Sequence, residues 1–249
     1  MLDGRRRIAI PQLKLCLSVF ALFLLLHMSA SALGSLRGEA GVAVAALVVA
    51  GSLVAQRLVF GEAFRRAAAA LGLGRPTAVS LWVALGIGTA LLLTIPLFAM
   101  ATDQRPAMYP GWPALLPGLF AQGGVAEETV FRGYLFGNLR RTHSFWKAAW
   151  FSAGVFVVAH LLLFATMSWP IALAATILAL VVSFPLSHLF ELGGRTIWAP
   201  AIVHFVMQGA VKVVEMPGSP TAYQMMWLAA CAAVPWLALA LPRKASRSQ

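Results

Sequence analysis

The sequence predicts an all-α fold, a polytopic transmembrane bundle of about eight spans with both termini cytoplasmic, and three observations predict it. Of the 249 residues, 60% are apolar and only 11% are charged, a balance outside the range of soluble globular domains. The apolar residues fall in runs of about 20, the length that crosses a ~30 Å hydrocarbon core at 1.5 Å per residue. The basic residues gather almost entirely on alternate connections between those runs, as cytoplasmic loops require.

Taken in order, the first run, near 13–33, follows Arg5, Arg6 and Arg7 and has small residues at 29–32, as a secretory signal would. Its length favours a retained span. A second span is expected near 40–60. Gly61 to Arg75 then reads as a short amphipathic surface helix, with Arg65 and Arg66 set among alanines and leucines. Six more spans are expected near 78–101, 114–138, 148–166, 170–190, 196–214 and 221–241. Cys16 and Cys231 lie within apolar runs near opposite ends of the chain and read as buried free thiols. With no repeat and no long linker, residues 1–249 form one integral membrane domain, whose motif-bearing core covers about 114–214.

The net charge of +11 does not point to nucleic acid, because the basic residues sit in short clusters between apolar stretches instead of on one polar surface. Placing the N-terminus in the cytoplasm puts fifteen of the nineteen Lys and Arg on that side. Arg37, Arg105 and Lys212 fall on the other, and Arg132 lies within a span. The expected partners are membrane lipid and a protein or peptide substrate, the expected location a bacterial inner membrane, and oligomeric state is not legible.

Six of the eight acidic residues can sit at span ends, whereas Glu127 and Glu128 fall inside the fourth span. A charged side chain there costs about 2.5–3.5 kcal/mol on insertion scales, so an adjacent pair needs a reason. Glu128 and Arg132 are spaced i, i+4 with the acid first, the favourable helical orientation, and form a structural pair. Glu127 is then the unpaired acid, available as a general base. His160 in the fifth span and His204 in the seventh fall at depths comparable to Glu127, roughly 10–18 Å from the cytoplasmic boundary. One turn beyond His204, Gln208 presents an amide on the same face, able to donate to an oxyanion or to a neighbouring helix. His27, His143 and His188 lack such support, though His188 lies close to Glu191.

The block from Glu127 to Leu135, EETVFRGYL, resembles the EExxxR motif of the CPBP family, the CAAX prenyl protease and bacteriocin-processing membrane proteins. Phe156 and His160 resemble its FxxxH motif and His204 its HxxxN motif, with Gln208 standing where the family usually has Asn. The resemblance runs from Ala121 to Gly209. It implies an intramembrane endopeptidase in which Glu127, helped by His160, activates a water that attacks a peptide carbonyl while His204 and Gln208 stabilise the oxyanion. The substrate would be a lipidated, leader or C-terminal sorting-tail peptide.

One Glu and two His, here Glu127, His160 and His204, could also ligate zinc. The lack of an HExxH motif and the commitment of Glu128 to Arg132 favour a metal-free site without cofactor. From other classes, the competing readings are a non-catalytic scaffold or bacteriocin-immunity-like protein and a transporter with a Glu/His proton relay. Transport would bring repeat symmetry or paired broken helices, which the sequence lacks.

Overall fold

A computed structural model describes residues 6–33, 39–166 and 168–242. Asp3, Arg5, Arg37, Arg243, Lys244 and Arg247 lie outside the described residues. The fold is all-helical, built from α1 (Arg6–Ala32), α2 (Glu39–Phe60), α3 (Phe64–Ala70) and α4 (Ala78–Ala101), then, after the short strand β1 (Ala107–Met108), a continuous helical run over 112–139. That run, the site helix, starts as α5 (Trp112–Leu119), widens into π-helix over Phe120–Ala126 and Thr129–Phe136, and ends as α6 (Gly137–Leu139). There follow α7 (Phe145–His160) with a 3-10 extension over Leu161–Ala165, α8 (Trp169–Leu192), α9 (Trp198–Val213), strand β2 (Val214–Glu215) and α10 (Pro220–Ala233), which tightens to 3-10 over Val234–Ala240.

Among the described residues, six helices are long and apolar enough to cross a membrane: Leu13–Ala32, Ala40–Phe60, Ala78–Ala101, Phe145–Ala165, Trp169–Leu192 and Pro220–Ala240. The other two expected spans are helical but differ from these for physical reasons. The site helix carries Glu127, Glu128 and Arg132, and α9 has only 16 residues, about 24 Å of rise. The expected surface helix over 61–75 is shorter than its pattern suggested, with α3 bounded by Gly61 and Gly72 at positive φ (69° and 75°), which only glycine adopts freely.

The outward faces match a lipid solvent. Trp82, Leu93, Leu97 and Met100 on α4 and Trp169 and Ile177 on α8 are exposed, far more contiguous apolar surface than a water-facing monomer carries. On α1, Leu15, Val19, Leu22 and Leu26 turn inward at helical spacing while Leu13, Leu17, Phe20 and Leu24 face out. Cys16 shares that outer face and is exposed, contrary to its expected burial, because neighbouring Leu15 takes the inward position; Cys231 is buried, and both thiols are free.

Side-chain bonds tie the connections together in two groups. Arg140 grips Glu191 with two hydrogen bonds, Nε to Oε1 at 2.6 Å and Nη2 to Oε2 at 3.2 Å, the planar fork geometry of a strong pair. Arg141 pairs with Glu62, Arg195 donates to the Gly137 carbonyl at 2.6 Å, and Thr77 donates to the Leu192 carbonyl at 2.9 Å. The segments 61–77, 140–144 and 193–197 therefore share one end of the bundle. His188, close to Glu191 on α8, contacts the Leu241 carbonyl (3.0 Å) at this same end. At the opposite end β1 and β2 pair antiparallel, Ala107 with Glu215 and Met108 with Val214.

The site helix lies at the middle of this arrangement because it carries glycines where neighbours come closest. A Cβ on Gly133 would overlap the Leu71 carbonyl oxygen, and one on Gly124 would meet the Ala201 carbonyl oxygen at 2.8 Å. Glycine at these two positions lets the loop after α3 and helix α9 approach the backbone itself.

Candidate active site

Glu127 and Glu128 are the two residues between the π-helical stretches of the site helix. Successive residues of an α-helix diverge by about 100°. The wider i→i+5 winding of π-helix lessens that divergence, and π segments recur at functional sites. Both carboxylates here reach the same neighbour, α9.

Glu128 is fully buried, and its Oε1 accepts from Arg132 Nη1 at 3.1 Å, so the i, i+4 pair expected from spacing is present in space. The same oxygen contacts His204 Nδ1 at 2.6 Å, a bond that spacing could not foretell because it joins residues 76 apart. Arg132 is fully buried too, and its guanidinium lies over the Phe156 ring, 4.8 Å from the centroid, which offsets part of the cost of a buried cation.

Glu127, expected as the unpaired acid, has two partners on α9. Its Oε1 accepts from Gln208 Nε2 at 3.1 Å, and its Oε2 lies 3.7 Å from His204 Nε2. The correction follows from helix geometry: His204 and Gln208 are one turn apart on the face that packs against the site helix. Gln208 Nε2 also lies 2.7 Å from His204 Nε2. These contacts define one consistent set of donors. An ionised Glu128 takes the Nδ1–H of His204, which leaves Nε2 as an acceptor, and the two amide protons of Gln208 go to that Nε2 and to Glu127.

The longer side chain at 208 has room because residue 123 is glycine. A Cβ there would stand 2.7 Å from Gln208 Oε1. Sequence reasoning passed over Gly123, and the adjacent Gly123-Gly124 pair four residues before the glutamates was the available signal.

His160 sits at the last turn of α7, just before the helix tightens to 3-10. Its Nδ1 bonds the Phe156 carbonyl at 2.9 Å, which fixes the tautomer with Nδ1–H donating and leaves Nε2 to exchange a proton. It is half-buried and within electrostatic reach of Glu127, His204 and Arg132, without a hydrogen bond to any of them among the described residues. Phe156 links the group, its ring centroid 4.4 Å from that of His160 and 6.4 Å from that of His204. Glu127, Glu128, Arg132, His204 and Gln208 are thus in direct contact, and His160 joins them through Phe156.

Among the described residues, no three His, Cys, Asp or Glu side chains are grouped to hold a metal ion. Glu127, His160 and His204 accordingly do not form a ligand set in this arrangement. His27 stacks on Phe23, and His143 bonds Thr142 and the Leu139 carbonyl.

Comparison with known proteins gives a match to one family model, described as type II CAAX prenyl endopeptidase Rce1-like, over residues 109–210. No curated protein matches the chain. The matched residues begin just before the site helix and end just beyond Gln208, so they enclose every residue of the polar cluster. Over residues 109–210 the chain is thus similar to the Rce1-like type II CAAX prenyl endopeptidases of the CPBP family.

Proposed function

We propose that the chain is an intramembrane endopeptidase that hydrolyses a peptide bond by Glu127-activated water without a metal. The observation that carries this reading is the bond network Arg132–Glu128–His204–Gln208–Glu127. It gives the two adjacent carboxylates different surroundings: Glu128 lies fully buried against a cation, while the side chain of Glu127 keeps 17% exposure beside groups that can change partners.

In the forward reaction Glu127 accepts a proton from water, with His160 Nε2 as the second proton acceptor, and the water oxygen bonds to the peptide carbonyl carbon. The carbonyl oxygen takes the negative charge. Glu127 passes the proton it took from water to His204 Nε2, 3.7 Å from its Oε2. His204 then donates from Nε2 to the oxyanion while Gln208 turns an amide proton from His204 to it, and the second water proton, on His160, is left for the leaving amine. The tetrahedral species collapses as the C–N bond breaks, and the leaving amine receives the proton held by His160. Substrates of the lipidated, leader or sorting-tail kind suit a reacting group inside the bilayer, because the scissile bond would arrive on a segment already held by membrane.

The chain would cross the membrane eight times with both termini cytoplasmic, in a bacterial inner membrane. Two features support eight crossings: the site helix and α9 each run from one group of tied connections to the other. Incubating purified protein with candidate tail peptides, beside the Glu127→Gln variant, tests the activity. Cleavage by the wild type and none by the variant is expected, and cleavage by both removes Glu127 from the chemistry.

A further inference from the structure

At the end where the segments 61–77, 140–144 and 193–197 meet, three arginines share one cavity. Arg75, Arg141 and Arg195 line it with Gly74, Gly194 and Thr196, over the end of α3, and its volume is about 290 Å³. Two crossing loops hold the frame rigid: Ile197 N donates to the Gly72 carbonyl at 3.0 Å and Trp198 Nε1 to the Gly74 carbonyl at 2.8 Å.

The charges around the cavity are not balanced. Arg141 is paired with Glu62 and Arg140 with Glu191, whereas Arg75 and Arg195 have no carboxylate partner among the described residues. Arg195 also holds a positive φ of 65°, uncommon for a side chain larger than Asn or Asp and worth an explanation. Partial burial lowers its pKa below the usual guanidinium value, with Glu191 opposing and with Arg140 and Arg141 adding to the lowering. An anion in the cavity would relieve both the desolvation and the repulsion.

In the eight-span arrangement proposed above, this end of the bundle meets the headgroups. Helix α3, whose Ala69 and Ala70 line the cavity, exposes Phe64, Arg65 and Arg66, Leu58 near the end of α2 is exposed as well, and Trp198 carries the indole typical of a membrane interface. Guanidinium groups recognise phosphate through paired N–H donors, and basic pockets between helices at such an interface suit anionic headgroups.

We propose that this cavity is a binding site for the phosphate of an anionic phospholipid, separate from the polar cluster inside the bundle. The headgroup phosphate sits among Arg75, Arg141 and Arg195, and the acyl chains run down the lipid-facing surface beside Phe64. The site does not depend on proteolysis, so a Glu127→Gln variant binds lipid as the wild type does.

The test is native mass spectrometry of the full chain in neutral detergent, titrated with phosphatidylglycerol, with phosphatidylcholine, and with phosphatidylglycerol in competition with inorganic phosphate. Retention of phosphatidylglycerol at least tenfold over phosphatidylcholine is expected. Arg75→Gln, at an exposed loop position with no structural bond among the described residues, should weaken it about fivefold, the effect of one basic residue near an anionic surface. Arg75→Lys should restore most of the loss. Displacement of the lipid by millimolar inorganic phosphate would show that the site takes the phosphate group from a soluble source equally well, and resistance to it assigns the site to lipid. Equal retention of the two lipids, an Arg75→Gln variant that binds like the wild type, or displacement by an acidic peptide below the concentration at which phosphate acts would each overturn the proposal.

Discussion

Gln208 donates from Nε2 to Glu127 Oε1 at 3.1 Å while the same nitrogen lies 2.7 Å from His204 Nε2, so one amide group bridges the proposed base and the imidazole beside it. The bridge has a geometric condition. A side chain one methylene longer than Asn reaches Glu127 only because position 123 carries no Cβ. Residues 123 and 208 therefore behave as one unit, and their substitutions should not be additive.

Gly123→Ala is expected to push the Gln208 amide off both partners and reduce peptide cleavage, while Gly123→Ala with Gln208→Asn recovers much of it, because the shorter amide avoids the new methyl group. Cleavage rates of the four proteins in a double-mutant cycle check this. A double variant whose loss is the sum of the two single losses would show that the two positions are not coupled.

Replacing the amide alone separates its donor role from its bulk. Gln208→Leu should lower turnover by about 10²–10³, the usual effect of deleting one oxyanion donor, and Gln208→Asn should lose much less. Single-turnover cleavage at saturating peptide is the measurement, and a Gln208→Leu variant with wild-type turnover would take Gln208 out of the mechanism.

The adjacent carboxylates should respond differently to substitution. Arg132→Ala leaves Glu128 as a buried charge that has lost its cation, a change worth about 3–5 kcal/mol when one partner of a buried pair is removed. Folded yield and thermal midpoint should fall. Glu127→Gln keeps an oxygen for the Gln208 amide, so it should fold normally and lose activity. Glu128→Gln should resemble Arg132→Ala, since it weakens the holds on both Arg132 and His204. Size-exclusion profiles and melting curves of the three variants decide the matter.

Metal content can be tested apart from geometry. Active protein is expected to contain no stoichiometric zinc and to keep its rate in a strong chelator. Chelator-sensitive activity that zinc restores would require Glu127, His160 and His204 to regroup as ligands.

Topology is open to reporter fusions. An alkaline phosphatase fusion after Gln104, on the connection that carries β1, should be active, and a fusion at Gln249 inactive. The reverse pattern would invert the orientation, and activity at both points would give an even number of crossings between them.

The sequence carried the cluster's composition better than its wiring. Periodicity and motif spacing identified Glu127, Glu128, Arg132, His160, His204 and Gln208, because i, i+4 contacts depend only on local geometry. The bond from His204 Nδ1 to Glu128 joins two helices, and nothing in either helix's spacing specifies which oxygen faces which nitrogen. The same holds for the reciprocal pairing of Gln56 with Asn138, 82 residues apart (2.9 and 3.3 Å). The π-helical winding of 120–126 and 129–136 was also hidden, since both windings satisfy their backbone bonds within the helix and leave similar hydropathy. The length of apolar runs located α1, α2, α4, α7, α8 and α10, but the shortness of α9 and the charges on the site helix lie where hydropathy has least contrast.

The glycine contacts along the site helix have a consequence for tolerance to change. At Gly124 and Gly133 the helix meets its neighbours backbone to backbone, with no rotamer between them to absorb an error. Positions on the outer faces of α1, α4 and α8 meet only fluid hydrocarbon, which adapts to almost any apolar shape. A saturation mutagenesis map of this chain should therefore be sharply two-toned. Broad freedom would cover most of the apolar surface, and near-total intolerance would be confined to a narrow seam of the smallest residues, some of them more than a helical turn from any reacting atom.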